Sequence, residues 1–143
     1  MGHLVVDVNV VLSSLLNRGN SSIAFTLNAR KKKYRLIAPE FLLVELGKHT
    51  SEIAKRTRLS LEEAQKDLEF LTKQIKLFSE EKYGHKEDEA RNILKEHQKD
   101  VPYLALALAF NCSIFSGDKV LKSIIPDRVK IPKELLEELE QER

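Results

Sequence analysis

Leu4-Val5-Val6-Asp7-Val8-Asn9-Val10-Val11 is the stretch whose reading decides the fold. Leu4 to Asp7 is too short and too rich in β-branched residues for a helix, and reads as a buried strand. The strand ends on a carboxylate. Asn9 is placed to cap a helix from Val10 to Leu16, and Asn17-Arg18-Gly19-Asn20 stops that helix. A buried strand feeding directly into a helix is the opening of an α/β unit, and the rest of the chain continues the alternation of strands and helices.

Ser21 or Ser22 caps a second helix that runs to the basic tract Arg30-Lys31-Lys32-Lys33, and Arg35 to Ala38 is a second strand. Pro39 suits the first turn of a third helix, in which Leu42, Leu46, His49 and Ile53 make one stripe. Ser60-Leu61-Glu62-Glu63 is a capping box opening a helix to about Lys73. Ile75 to Phe78 is a third strand and Glu87 to Gln98 a helix. Pro102 opens Tyr103 to Phe110, whose Leu and Ala residues favour a helix buried on all sides. Ser113 to Phe115 is a fourth strand, Val129 to Ile131 a fifth, and Pro132 to Glu142 an exposed terminal helix. Short strands alternating with helices predict a three-layer α/β/α sandwich around a parallel sheet of about five strands. Without repeats or a linker, the 143 residues read as a single domain, 1–143.

Composition narrows the function. Lys and Arg total 24 against 22 Asp and Glu, a net charge of +2, which argues against a wholesale basic coat for nucleic acid. The single Cys112 excludes an internal disulfide, and no apolar run approaches a membrane span. With no signal-peptide pattern at the start, a cytoplasmic location and no membrane partner are expected. The acids comprise 16 Glu but only 6 Asp, and Asp favours caps, turns and metal sites.

Asp7 ends the first strand and Asp118, in Ser116-Gly117-Asp118-Lys119, follows the fourth. Both therefore point to the crevice beyond the carboxyl ends of the strands, where parallel sheets carry their function. Asp100 precedes the buried helix. Glu45 falls at the edge of the apolar stripe of the third helix, at about 100° per residue. Each has an ordinary alternative: a turn or cap for the three Asp, a boundary salt bridge with Lys48 or His49 for Glu45. If all four converge, they cannot stay ionised together without cations. Oxygen ligands with room for water suit Mg²⁺ or Mn²⁺, which activates water and stabilises the pentacoordinate phosphate of an in-line displacement.

Val5-Val6-Asp7-Val8-Asn9-Val10-Val11, Ala38-Pro39-Glu40-Phe41-Leu42-Leu43-Val44-Glu45-Leu46, Asp100-Val101-Pro102-Tyr103-Leu104-Ala105-Leu106-Ala107 and Ser116-Gly117-Asp118-Lys119 together resemble a PIN-domain nuclease, in order and spacing. VapC-type toxin ribonucleases belong to that family. The resemblance implies a Mg²⁺/Mn²⁺-dependent endoribonuclease on a five-stranded parallel sheet, acting on RNA as a homodimer. By matching position it gives the acid roles to Asp7, Glu45, Asp100 and Asp118, with Asn9 and Ser116 as polar neighbours. A toxin would bring an antitoxin protein as partner. Many members carry a further acid shortly before the Asp100 position. Here those positions hold Glu96 and His97, of which Glu96 is the candidate.

Other signals are weaker. The Arg30–Lys33 run with Arg35 should lie at the opposite edge of the sheet, where cations complement a helix C-terminus. Lys48, Lys119 and Lys122 are better placed as phosphate contacts. His3, His49, His85 and His97 show no zinc spacing. Tyr103 reads as core. Two other functions compete. A haloacid-dehalogenase-like phosphatase would need a second Asp where Asn9 stands, and a non-catalytic PIN-like module would bind RNA or protein without cutting. Setting the four acids aside leaves 18 acids against 24 bases, so the rest of the chain carries +6. An acidic pocket in a basic body has the polarity to hold a metal with a phosphate chain around it.

Overall fold

The computed structural model describes residues 2–17 and 19–141. Five parallel strands form one sheet: β1 (Gly2–Val6), β2 (Tyr34–Pro39), β3 (Ile75–Phe78), β4 (Ser113–Phe115) and β5 (Val129–Lys130), in spatial order β3-β2-β1-β4-β5. β1 is central because its Leu4-Val5-Val6 run is apolar on both faces and fully buried. The chain builds outward from it to β2 and β3, then returns to its other side with β4 and β5. That reversal puts a crevice at the carboxyl ends of β1 and β4.

Helices α1 (Val8–Leu16), α2 (Asn20–Lys31), α3 (Phe41–Thr57), α4 (Leu61–Thr72) and α9 (Pro132–Gln141) pack among themselves as one layer. On the other side, α7 (Val101–Phe110) lies against β1, β2 and β4, and α5 (Glu80–Tyr83) and α6 (Glu87–Leu94) pack on it. A short α8 (Lys119–Ile124) follows β4. The sheet is thus sandwiched as expected. α7 is the most buried helix: Leu104, Ala105, Leu106 and Ala107 are wholly inaccessible. Truncating either leucine to Ala should cost about 2–5 kcal/mol.

The Ser60 capping box forms in full, Ser60 Oγ accepting from the Glu63 amide and Glu63 accepting from the Ser60 amide. Several expectations shift. α2 begins at Asn20 with Gly19 at its cap, so neither Ser21 nor Ser22 caps it. α1 begins at Val8, so Asp7 and not Asn9 holds the cap position. Pro39 closes β2 instead of opening α3. Its missing N–H falls beyond the last β1–β2 pair, Val5 with Ile37, while the Glu40 amide resumes the bonding by donating to Phe78 O at 2.9 Å. α6 ends at Leu94 because Lys95 turns to φ +52°, well before Gln98. His49 is less buried than its stripe partners; its ring meets Glu52 at 3.1 Å. Arg18 of the expected stop and Glu142 of the terminal helix lie outside the described residues.

The basic tract ends α2 and leads into β2, at the amino-terminal edge of the sheet. There Glu138 of α9 gathers Lys33 at 3.0 Å, Lys130 and the Tyr34 hydroxyl. These charges fasten α9 to the sheet.

Candidate metal centre

The register of β1 on β4 builds the site. Val6 pairs with Phe115, so the next residues on each strand, Asp7 and Ser116, leave the sheet side by side. The Asp7 amide still donates to Phe115 O at 3.1 Å, and the Ser116 amide to Lys130 O at 3.2 Å. Both side chains are buried, and Ser116 Oγ donates to Asp7 Oδ2 at 2.7 Å. The same Oγ accepts from Asn9 Nδ2 at 3.3 Å and from the Asp118 amide at 3.1 Å, which fills its hydrogen-bonding capacity. Asn9 Oδ1 accepts from the Gly117 amide at 3.1 Å. Asn9 and Ser116 thus lock the first turn of α1 to the turn after β4.

Asp7 spends no side-chain oxygen on capping α1, and Asp100, at the cap position of α7, spends none there either. Asp118 does both jobs. Its Oδ1 accepts from the Val120 and Leu121 amides and starts α8, while its Oδ2 faces His97 and Lys99. Glu45 projects from the second turn of α3, whose Leu42, Leu46 and Ile53 are buried, and Glu45 itself is half-buried. Its Oε1 accepts from the Tyr103 hydroxyl. Tyr103 is core as expected, but its one polar atom serves the site.

The four carboxylates sense one another. Burial first, then the charges of Asp100 and Glu45, raise Asp7 from 3.8 to about 7, against the lowering effect of the Ser116 bond. Burial also raises Asp100, opposed by His97 and reinforced by Asp118. For Asp118, burial pushes upward, but the Leu121 amide and the Lys99 ammonium outweigh it and hold the carboxyl below its usual range. Burial and the Glu45 carboxylate hold the Tyr103 phenol far above its ordinary range, so it is a permanent donor. Such mutual repulsion in a partly dry crevice is what a cation relieves.

His97, Asp100 and Asp118 offer ligand atoms that all lie within 4.8 Å of one another. His97 Nε2 stands 2.6 Å from Asp100 Oδ2 and 3.3 Å from Asp118 Oδ2. Yet Nε2 and Asp100 Oδ2 are buried without an aligned hydrogen-bond partner among the described residues. Two unsatisfied buried ligand atoms converging on one point fit a metal ion. Of the two residues at the positions ahead of Asp100, His97 faces the carboxylates and Glu96 is exposed. After Lys95 breaks α6, a 3₁₀ turn over Gln98–Asp100 carries His97 inward. No zinc-like spacing announces this: Asp100 follows His97 at i+3, but Asp118 comes from a separate segment and no second histidine or cysteine joins them among the described residues.

The lysines divide. Lys48, one turn beyond Glu45, and Lys119, at the start of α8, are exposed. Lys122 is committed elsewhere: its ammonium donates to Pro126 O at 3.1 Å, Val129 O at 2.8 Å and Glu134 Oε1 at 2.9 Å. Lys99, unremarked in the sequence, reaches Asp118 Oδ2 at 3.3 Å.

An α/β/α sandwich with acids at the β1/β4 switch point defines the class of protein, and a PIN-domain family model matches residues 5–141. The chain belongs to the PIN-domain family, whose members are nucleases that use divalent metal ions. No curated protein shows significant similarity to it. Among solved structures it is similar to VapBC2 from Rickettsia felis bound to a DNA fragment from their promoter: TM-score 0.69 and 16% identity over 90% of this chain and 97% of that one. It is also similar to PAE2754 from Pyrobaculum aerophilum: TM-score 0.66 and 17% identity over 97% of this chain and 90% of that one. Among the described residues no helix is long and apolar enough to cross a membrane.

Proposed function

We propose that the protein is a Mg²⁺- or Mn²⁺-dependent endoribonuclease whose metal is held by Asp7, Glu45, Asp100 and Asp118. The observation that carries this reading is the buried setting of Asp7 beside further acids: burial first, then the charges of Asp100 and Glu45, push its carboxyl up to about 7. A divalent cation there would supply the charge that activates a water and stabilises an in-line displacement at phosphorus. The chain's own residues orient the site. Ser116, itself held by Asn9, fixes Asp7; Tyr103 fixes Glu45; and the cap on α8 fixes Asp118. Lys48 and Lys119 are the exposed cations assigned to the RNA phosphates.

The likeness to a VapBC complex supports a toxin role with an antitoxin protein as partner; a cytoplasmic location belongs to the same reading. Ile23 of α2, Leu43 and Val44 of α3 and Phe70 of α4 are exposed apolar side chains available to such a partner or to a second copy in a homodimer.

The test is cleavage of a structured RNA with Mg²⁺ or Mn²⁺, with EDTA, and after Asp7→Asn. Metal-dependent cutting lost in the variant supports the reading. Metal-independent cutting, or an active variant, refutes it. RNA binding without cutting would mark a non-catalytic PIN-like module.

A further inference from the structure

We infer that His97 Nε2 is a metal ligand of this chain, making the centre a mixed nitrogen–oxygen site, with Asp100 and Asp118, that prefers a divalent transition-metal cation to Mg²⁺. The inference rests on the metal-dependent reading above and adds to it a ligand that is not a carboxylate.

The geometry is that of a site. Ligand bonds of about 2.1 Å in an octahedral ion put neighbouring donor atoms about 3 Å apart. His97 Nε2 lies 2.6 Å from Asp100 Oδ2 and 3.3 Å from Asp118 Oδ2, on either side of that spacing. A plain ion pair would satisfy both atoms with a proton on the line between them. Here Asp100 Oδ2 and His97 Nε2 are both buried and neither is aligned in a hydrogen bond. Asp100 is 4% exposed, so water does not make good the loss. A cation at their meeting point would satisfy both atoms at once.

The backbone supports the placement. Lys95 at φ +52° breaks α6 and sends the chain through the turn that brings His97 over the carboxylates. Asp118 is already anchored by its cap, which leaves Oδ2 as the free ligand atom. Lys99 also touches that oxygen, but its side chain is 68% exposed and can withdraw into solvent.

Imidazole nitrogen suits divalent transition ions; even Mn²⁺, the weakest binder of that series, takes it more readily than Mg²⁺, which is bound through oxygen and water. The probes are Mn²⁺ and Mg²⁺ on the purified full chain. Pulsed electron-spin resonance of bound Mn²⁺ should show coupling to one nitrogen nucleus. Competition should give Mn²⁺ at least a tenfold advantage over Mg²⁺. His97→Ala should abolish the nitrogen coupling and bring the two affinities within about threefold, while His97→Asp should strengthen Mg²⁺ binding. Mn²⁺ bound without nitrogen coupling, with the preference unchanged in His97→Ala, overturns the inference and leaves the carboxylate centre standing. Failure of the wild-type chain to bind either ion refutes both. The wild-type spectrum needs no variant, so poor folding of a substituted chain does not blunt the test.

Discussion

The Ser116 hydroxyl donates to the buried Asp7 carboxylate at 2.7 Å, joining residues 109 positions apart at the ends of adjacent strands. A hydrogen bond to a charged group contributes about 1.5–3 kcal/mol, and this one favours the ionised form of Asp7 against burial. Ser116→Ala should therefore raise the Asp7 pKa further and weaken metal binding at neutral pH by about tenfold. Raising the pH should recover part of the loss. Titration of Mn²⁺ at pH 6.5 and 8.5 checks this; an affinity equal to wild type at both values sinks it.

Asp7 also links stability to pH in metal-free protein. Its pKa rises from 3.8 to about 7 on folding, so between those values the native state binds more protons than the unfolded state. Stability must then fall as pH rises through that window and level off above it. About three units correspond to roughly 4 kcal/mol at most. Asp7→Asn cannot ionise and still accepts from Ser116. In EDTA it should melt well above wild type at pH 8 and close to it at pH 4. Parallel melting curves for the two proteins across the range would show that Asp7 does not titrate in this window.

The sequence carries most of the fold for a physical reason. β1, β3 and β4 are short apolar runs bounded by polar residues, and their ends were readable to within two residues. Because Asp7 follows β1 directly and Asp118 follows β4 within three residues, a parallel sheet alone sends both to one crevice. Other features have no local signature. α8 is six residues long, too short for periodicity to show. α6 stops at Lys95, a residue type that gives no warning of a positive φ. His97 and Tyr103 join the site only through pairings made in three dimensions, Tyr103 reaching Glu45 across 58 positions. A core aromatic and a loop histidine look the same in sequence whether or not a carboxylate waits for them.

Lys122 illustrates the reverse case, a cation near Asp118 in sequence whose charge is spent on structure. Its ammonium ties α8 to Val129 O of β5, to Pro126 O and to Glu134 of α9. Lys122→Met keeps the stem and removes the donor. It should destabilise the protein by about 1–2 kcal/mol, leaving two carbonyls and a carboxylate to water. RNA affinity should stay within twofold of wild type. A variant that melts normally but binds RNA several-fold more weakly would show that Lys122 turns to the phosphates.

Tyr103→Phe separates positioning from packing. Tyr103 is 1% exposed, and its ring contacts Phe41 edge-on at 6.4 Å. Phe fills the same space, so the melting temperature should change by only a few degrees. What is lost is the hydroxyl that fixes Glu45 Oε1. Burial and Glu45 keep that hydroxyl protonated throughout the working range, so its loss should cost the same at every pH from 6 to 9. A carboxylate free to choose among rotamers presents its ligand atom only part of the time. The variant should therefore bind Mn²⁺ several-fold more weakly and cut RNA about tenfold more slowly, with KM for RNA little changed. Saturating Mn²⁺ should restore a substantial part of the rate. Unaltered metal affinity and turnover would mean that Glu45 holds its place without Tyr103. A rise in KM alone would assign the tyrosine to substrate contact instead.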